Sequence, residues 1–465
     1  MAEASAPATD GVGRPQPSKS YRWVVLIFVS LAMFGNYYFF DALEPLVKLL
    51  QVQLHFTDQN IGLLGAAYNI APIALVLLGG IIIDRIGTRR SMLLFGVICL
   101  AGAIITATAP AFAAAAVQPI EILVIKVANR LFSAGMEPAS SKLLAMATGR
   151  LIFGMGAESL IVAITAAVAK WFRGKELSFA LGINLMIARG GTWLAQNSPS
   201  WASSAYDSWQ KPWLIGVGFV SLCVLAPIAY WWLEVRAERR FALGHAGESD
   251  KIVFSDVKGF GLSYWWLVAL CVVFYSAIFP FETFAVKYFV DAHGTTLQLG
   301  GFLLSVLTIF TIIGTPLVGL YSDKVGRRAT IMLLGTWLLI PVFLMMAYTR
   351  VTLYVPMAML GLAFTLVPAI IWPSVAYIVE QRALGTALGL MTMVQNIGMA
   401  GMNWVLGKAN DVAGASQANP AGYLPMLKIL TGMGVLGLVF ALLLRQRETG
   451  PRGHGLETIT ARSSA

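Results

Sequence analysis

Two stretches, Gly80-Ile-Ile-Ile-Asp84-Arg85-Ile-Gly87-Thr88-Arg89-Arg90 and Gly319-Leu-Tyr-Ser-Asp323-Lys324-Val-Gly326-Arg327-Arg328, repeat one pattern at two places in the chain. Each follows a long apolar run and precedes another, and Asp84 and Asp323 stand about half the chain apart. Self-similarity at a long, fixed spacing marks a duplicated unit. Glycine lets two helices approach closely, aspartate offers a cap to the positive end of the next helix, and the arginines anchor a short loop to one membrane face. Read singly, either copy is also a basic loop before a capped helix. The pair at matched positions carries the argument.

Composition supplies the setting. Of 465 residues, 57% are hydrophobic and 12% charged, and the mean hydropathy is +0.73. Soluble proteins carry about 45–50% apolar and roughly 25% charged residues, so this chain cannot cover a water-facing surface. The alternating strands of a membrane barrel would leave a far weaker hydropathy signal. A net charge of +10 fits basic loops beside a membrane better than nucleic-acid binding. Cys99, Cys223 and Cys271 lie in apolar runs and imply neither a disulfide framework nor a metal site. His55, His245, His293 and His454 fall in loops or the tail, away from any intramembrane relay, and no cofactor is implied.

A helical span needs about 20 apolar residues. Twelve runs qualify: 22–47, 60–83, 91–114, 143–168, 177–197, 213–235, 263–289, 299–321, 329–348, 352–378, 384–407 and 422–445. The first is too long for a signal-peptide core and is read as a retained span. Loops on one side, including the two repeated motifs, hold nearly twice the Lys and Arg of the other side, which places both termini in the cytoplasm. The expected organisation is a disordered tail (1–20), a six-helix bundle (21–235) with an outer insertion (113–142), a linker (236–262), a second bundle (263–446) and a tail (447–465). In the insertion, Ile120, Leu123, Val127 and Leu131 recur at helical spacing, as in an amphipathic helix on the outer face.

The doubled motif, with Gly80, Asp84, Arg85, Arg89 and Arg90 in one copy and Asp323, Lys324, Arg327 and Arg328 in the other, resembles the cytoplasmic loop signature of the major facilitator superfamily. The resemblance implies an all-α membrane protein of twelve helices in two pseudo-symmetric bundles, with a substrate site near the bilayer midplane.

Charges inside the spans point to that site, since an intramembrane charge costs about 2.5–3.5 kcal/mol and normally faces a cavity. Candidates are Asp41 and Glu44, Arg150 and Glu158, Arg189, and Glu282 with Lys287. Glu158 lies ten residues from the inner end of span four and Arg189 twelve from that of span five. At 1.5 Å per residue both sit about 15–18 Å deep. They form either a structural ion pair or two separated charges awaiting a zwitterion. Facing helices come within about 8–10 Å, and a dipeptide's charged ends lie roughly 6–7 Å apart when extended. An arginine would hold the carboxylate bidentately. Arg150 is a signature arginine or a helix-end snorkeller. Asp41 lines the cavity or caps an outer gate. Glu282 and Lys287, five apart, do not face each other.

Further segments resemble the dipeptide-uniporter branch of the superfamily, whose type member is lysosomal, and its bacterial relatives. They are Gly149-Arg-Leu-Ile-Phe-Gly-Met-Gly-Ala-Glu158-Ser159, Trp171-Phe-Arg-Gly-Lys-Glu-Leu177, Ala188-Arg189, Phe279-Pro280-Phe281, Trp372-Pro373 and Gln395-Asn396. The resemblance implies that Glu158 receives the peptide amine and Arg189 the carboxylate, with Tyr38, Trp372, Gln395 and Asn396 lining the cavity. Neither an acidic dileucine signal nor an Asn-x-Ser/Thr acceptor occurs, which favours a bacterial inner membrane and no glycosylated accessory subunit. The expected activity is alternating-access uniport of dipeptides by a monomer. The open alternatives are proton-coupled peptide transport, transport of a small organic anion, and a non-transporting membrane sensor. No Ser–His, paired-Asp or zinc constellation for an enzyme lies in the spans.

Overall fold

The computed structural model describes residues 17–132, 139–172, 176–241 and 254–460. Its elements are helical throughout. In the first half they are α1 (Lys19–Asp41), α2 (Val47–Leu54), α3 (Asp58–Ile86), α4 (Thr88–Thr108), α5 (Ala111–Phe132), α6 (Ser141–Phe172), α7 (Leu177–Gln196), α8 (Ser198–Trp201), α9 (Gln210–Val220) and α10 (Leu222–Arg240). The second half holds α11 (Leu262–His293), α12 (Leu297–Val325), α13 (Arg328–Trp337), α14 (Leu339–Tyr348), α15 (Tyr354–Leu366), α16 (Pro368–Ile378), α17 (Leu384–Val412) and α18 (Leu424–Glu448). Helices occupy most of each of the twelve expected intervals, although α1 stops at Asp41 and α4 at Thr108, short of the expected ends at 47 and 114. Three spans are built of two helices, with breaks after Val220, Trp337 and Leu366. At the last, Pro368 brings a residue without an N–H to donate. Nine helical stretches among the described residues are long and apolar enough to cross a membrane.

Local signals set the ends. Ser18 caps α1 by accepting from the Tyr21 amide, Thr57 and Asn60 form a reciprocal capping box on α3, and Thr296 caps α12. In both loop motifs the glycine after the acidic residue has positive φ, 80° at Gly87 and 72° at Gly326, which a side chain would strain. The close approach expected at the motif's first glycine is absent in the second copy, where a Cβ on Gly319 would meet nothing within 4 Å.

The described part of the insertion is helical as α5. Ala113, Ala114 and Val117 lie against Leu144 and Ala145 of α6, while Ile120 and Leu123 are more than 60% exposed. Small residues fit closely against a neighbouring helix, whereas Ile120 and Leu123 stand mostly exposed among the described residues. The side chains of Val127 and Leu131, and residues 133–138, lie outside what is described, as do the first sixteen residues and 242–253.

In the first half α6 packs on α3 and α4, and α1 on α7, α9 and α10. In the second half α11 packs on α17 and α18, and α12 on α15. The halves meet where α3 runs along α17, α7 along α12, and the turn Glu44–Leu46 along α11. The joining bonds cluster at the end away from the loop motifs. Asp411 of α17 accepts from the Asp58 and Gln59 amides, both at 2.8 Å, and so caps α3 of the other half. Lys287 reaches Asp58 at 2.9 Å and Lys48 reaches Asp291 at 2.9 Å. A Cβ on Gly62 would collide with the Asn403 backbone, and one on Gly407 with that of Asp58. We call this the closed end. At the motif end, Phe179 and Tyr321 stand 61% and 55% exposed.

Candidate functional site

Glu158 and Arg189 are brought to the midlevel of the first half by α6 and α7, and they do not pair within 4 Å. Glu158 instead accepts a hydrogen bond from the Tyr68 hydroxyl of α3 at 2.7 Å. The Arg189 guanidinium lies 5.5 Å over the ring of Tyr37 and 5.2 Å over that of Phe364, and so bridges α1 and the second half's α15. Tyr37 is within electrostatic reach of both charges. The two are not a direct ion pair in this structure: the carboxylate is held by Tyr68 and the guanidinium by two aromatic rings.

Aromatic side chains surround the two charges. Phe40 packs on Tyr68 at 4.5 Å between ring centroids and reaches Phe279 of the second half at 6.3 Å. Tyr275 stacks on Phe279 at 5.7 Å, and its hydroxyl accepts from Trp372 Nε1 at 2.8 Å. Aromatic faces hold cations at about 0.5–2 kcal/mol, depending on desolvation. They keep Arg189 in place without consuming its hydrogen-bond donors, which remain available for an oxyanion.

The remaining candidates divide. Trp372 belongs to the aromatic wall. Gln395 and Asn396 are buried on α17, and Asn396 donates to the Thr392 carbonyl of its own helix. Asp41, 2% exposed, lies toward the closed end. Tyr38 is not brought to the cavity. It is buried within the first half, 4.2 Å from the Phe219 ring, with Trp201 beside it. Successive helical residues point about 100° apart, so Tyr37 and Phe40 take the cavity face and Tyr38 does not. Arg150 is no snorkeller. It is 2% exposed and donates to the carbonyls of Leu64, Phe39 and Phe40, tying together α6, α3 and α1. Lys287 belongs to the closed seam.

The loop motifs staple their own halves. Arg89 pairs with Glu238 at 3.0 Å, and Lys170 with Glu234 at 2.7 Å, which joins α4, α6 and α10. Arg85 and Arg90 are exposed, and the Asp84 side chain lies outside what is described. In the second copy Asp323 pairs with Arg328 at 3.1 Å instead of capping α13, while Arg327 adopts positive φ and Lys324 is exposed. The cap comes from Glu457, whose carboxylate accepts from the Thr330 amide at 2.7 Å and its hydroxyl at 2.9 Å. That contact was illegible in the sequence, since Glu457 lies 127 residues away from Thr330. The cavity aromatics Tyr37, Tyr68, Phe279 and Phe364 were likewise missed. The run Tyr37–Phe40 was the one available signal, and sequence alone could not fix its rotation.

A two-half helical bundle with charges at midlevel and a seam closed at one end is the architecture of an alternating-access carrier. The Major Facilitator Superfamily profile matches residues 29–402, and the chain belongs to that family, whose members are transporters and not enzymes. The chain is 30% identical over 404 residues to the lysosomal dipeptide transporter MFSD1 of Danio rerio, covering 85% of this chain and 82% of that one. It is 28% identical over 426 residues to the Homo sapiens protein of that name, covering 89% and 86%. Among solved structures it resembles a bacterial homologue of the human lysosomal transporter Spinster, inward-facing and unoccupied, with a TM-score of 0.67 at 15% identity, covering 92% of this chain and 98% of that one.

Proposed function

We propose that this protein carries dipeptides across a membrane by alternating access, as a uniporter, with Glu158 receiving the peptide amine and Arg189 its carboxylate. The observation that carries this reading is that two complementary charges are not paired with each other and are held instead by aromatic side chains, Glu158 by the Tyr68 hydroxyl and Arg189 by the Tyr37 and Phe364 rings. Asp41, Trp372, Gln395 and Asn396 complete the lining in this reading, and Tyr37 replaces Tyr38. The substrate named for the relatives supports it. The seam at the closed end corresponds to the outward face, so the cavity opens toward the basic loops. We place the protein in a bacterial inner membrane with both termini cytoplasmic, acting as a monomer without an accessory subunit. A reporter fused to either tail tests that orientation.

A second reading is transport of a small organic anion, because Glu158 already holds a hydrogen bond while Arg189 has no anionic partner. The experiment is thermal stabilisation of the purified protein by dipeptides, tripeptides, free amino acids and small carboxylates, since a ligand of the folded state raises apparent stability by mass action. Dipeptides should stabilise selectively, and blocking their amine should abolish the effect. Equal stabilisation by amine-blocked peptides or simple carboxylates moves the assignment to the anion carrier. Stabilisation without flux in liposomes would identify a sensor. Uphill uptake driven by a pH gradient would replace uniport with proton coupling.

A further inference from the structure

Glu158 and Arg189 lie on successive long helices of the first half, α6 and α7, yet the rings that hold them meet through the second half. The Tyr68 hydroxyl donates to Glu158 at 2.7 Å, and the Tyr68 ring packs on Phe40 at 4.5 Å between centroids. Phe40 reaches Phe279 of α11 at 6.3 Å, and Phe279 lies 5.6 Å from Phe364 of α15. The Arg189 guanidinium stands 5.2 Å from the centre of the Phe364 ring. A continuous row of rings thus runs from Glu158 to Arg189, and two of its members belong to the other half.

Phe364 ends that row and is itself firmly braced. It is 4% exposed and stands in the last turn of α15, just before the chain breaks and restarts at Pro368. Phe274, Tyr275 and Phe279 pack around it, with centroids 6.4, 6.0 and 5.6 Å away. Beyond the break, Trp372 of α16 donates to the Tyr275 hydroxyl at 2.8 Å and so supports the same set from the other side. An arginine side chain has many rotamers to lose. A guanidinium resting on a ring held in this way keeps its place, while its edge donors stay open to an oxyanion.

We propose that Phe364, supported by Phe279, is a specificity-determining residue that fixes the carboxylate anchor at one dipeptide length from Glu158. This rests on the dipeptide reading above, in which Glu158 takes the amine and Arg189 the carboxylate. Each further residue moves the two termini of an extended peptide apart by about 3.3–3.6 Å, and a free amino acid carries both on one carbon. An N–H···O hydrogen bond spans only about 2.7–3.2 Å. A guanidinium held in place therefore serves one length fully and the others poorly, whereas a loose one adapts to several lengths and favours none. The first half binds the two charges that every dipeptide shares, and the second half, through Phe364, sets the distance between them.

The test is calorimetric titration of the purified full-length protein with alanine, dialanine and trialanine, the weaker ligands being read by displacement of dialanine. Phe364→Leu keeps apolar bulk but removes the ring from Arg189. Dialanine affinity should fall about tenfold, within the range of a desolvated cation–π contact, while alanine and trialanine change little. Phe364→Tyr, which keeps the ring, should retain the wild-type preference. An equal loss for all three ligands, or an unchanged preference for dialanine, overturns the proposal. Should Phe364→Leu fail to fold, Phe279→Leu decides. Lying one ring further from Arg189, it should narrow the preference for dialanine by a smaller factor, and a wild-type preference again overturns the proposal. Arg189→Ala separates this inference from the reading it rests on. If that variant binds dialanine as the wild type does, the dipeptide site is misassigned. If it loses dialanine while Phe364→Leu keeps the preference, the length-setting role alone fails.

Discussion

Arg189 has aromatic rings on two sides and no carboxylate in contact, so its removal costs little in the empty protein and much in the loaded one. Arg189→Ala should weaken dipeptide binding by about 2–5 kcal/mol, because the substrate carboxylate is then buried unpaired. Arg189→Lys should recover only part of this, since an ammonium cannot make the two parallel bonds of a guanidinium. Calorimetric titration of both variants checks the pair; wild-type affinity in Arg189→Ala ends the assignment. Glu158 is held by Tyr68, and Tyr68→Phe leaves the carboxylate in place but free to turn. That variant should lose affinity by about 1.5–3 kcal/mol, the usual worth of a hydrogen bond to a charged group. The loss should disappear when amine-blocked peptides are compared. Sequence pattern alone reached Glu158 and Arg189 because charges in apolar helices are conspicuous and depth follows from counting residues. It missed Tyr37 and Tyr68 because aromatic residues are unremarkable in a membrane helix.

At the level of the helices, α3 and α17 form the tightest join between halves. Their contact depends on glycines that allow backbone to touch backbone. Gly62→Ala and Gly407→Ala each place a Cβ where opposing backbone already lies, so both should open the closed end while leaving each half folded. Labelled pairs across α3 and α17 should report longer distances, with transport lost and the far-ultraviolet helical signal unchanged. Wild-type transport in both variants would contradict a seam that must close to this separation. The second loop motif depends on a different helix end. Glu457 supplies the cap of α13 from the C-terminal segment, whose Leu456 is fully buried. Glu457→Ala should lower stability by about 0.5–2 kcal/mol, the usual value of a lost cap, measurable as a reduced melting temperature without change in substrate affinity. The aspartate of the motif looked like the capping residue because it precedes the helix. The fold gave that task to a distant glutamate, since Asp323 is committed to Arg328.

Across the whole molecule, the buried pair Lys287–Asp58 joins the halves, with the two side chains 5% and 2% exposed. Breaking such a pair by removing one partner costs about 3–5 kcal/mol because the other charge is left uncompensated. The conformation with the outer end open rehydrates Asp58 and so avoids that penalty. Lys287→Ala should therefore move the population toward the outward-open state. Labels near the loop motifs should then report a shorter separation, and those at the closed end a longer one. An unchanged population would mean that the pair contributes to folding but not to the choice of state.

Apolar runs of sufficient length, the doubled glycine–aspartate–arginine loop and the depth of two opposite charges were enough to establish a membrane-embedded helical bundle built from two related halves. These features follow from local chain properties: hydropathy against a bilayer of fixed thickness, and a helical rise that converts residue number into depth. The tertiary structure decided which way each helix turns. It sent Tyr38 into the first half, set Tyr37 beside Arg189 and kept Glu158 apart from Arg189. Rotation about a helix axis is set by packing against neighbours from the other half of the chain, and in a helix apolar on most of its circumference no sequence periodicity records it.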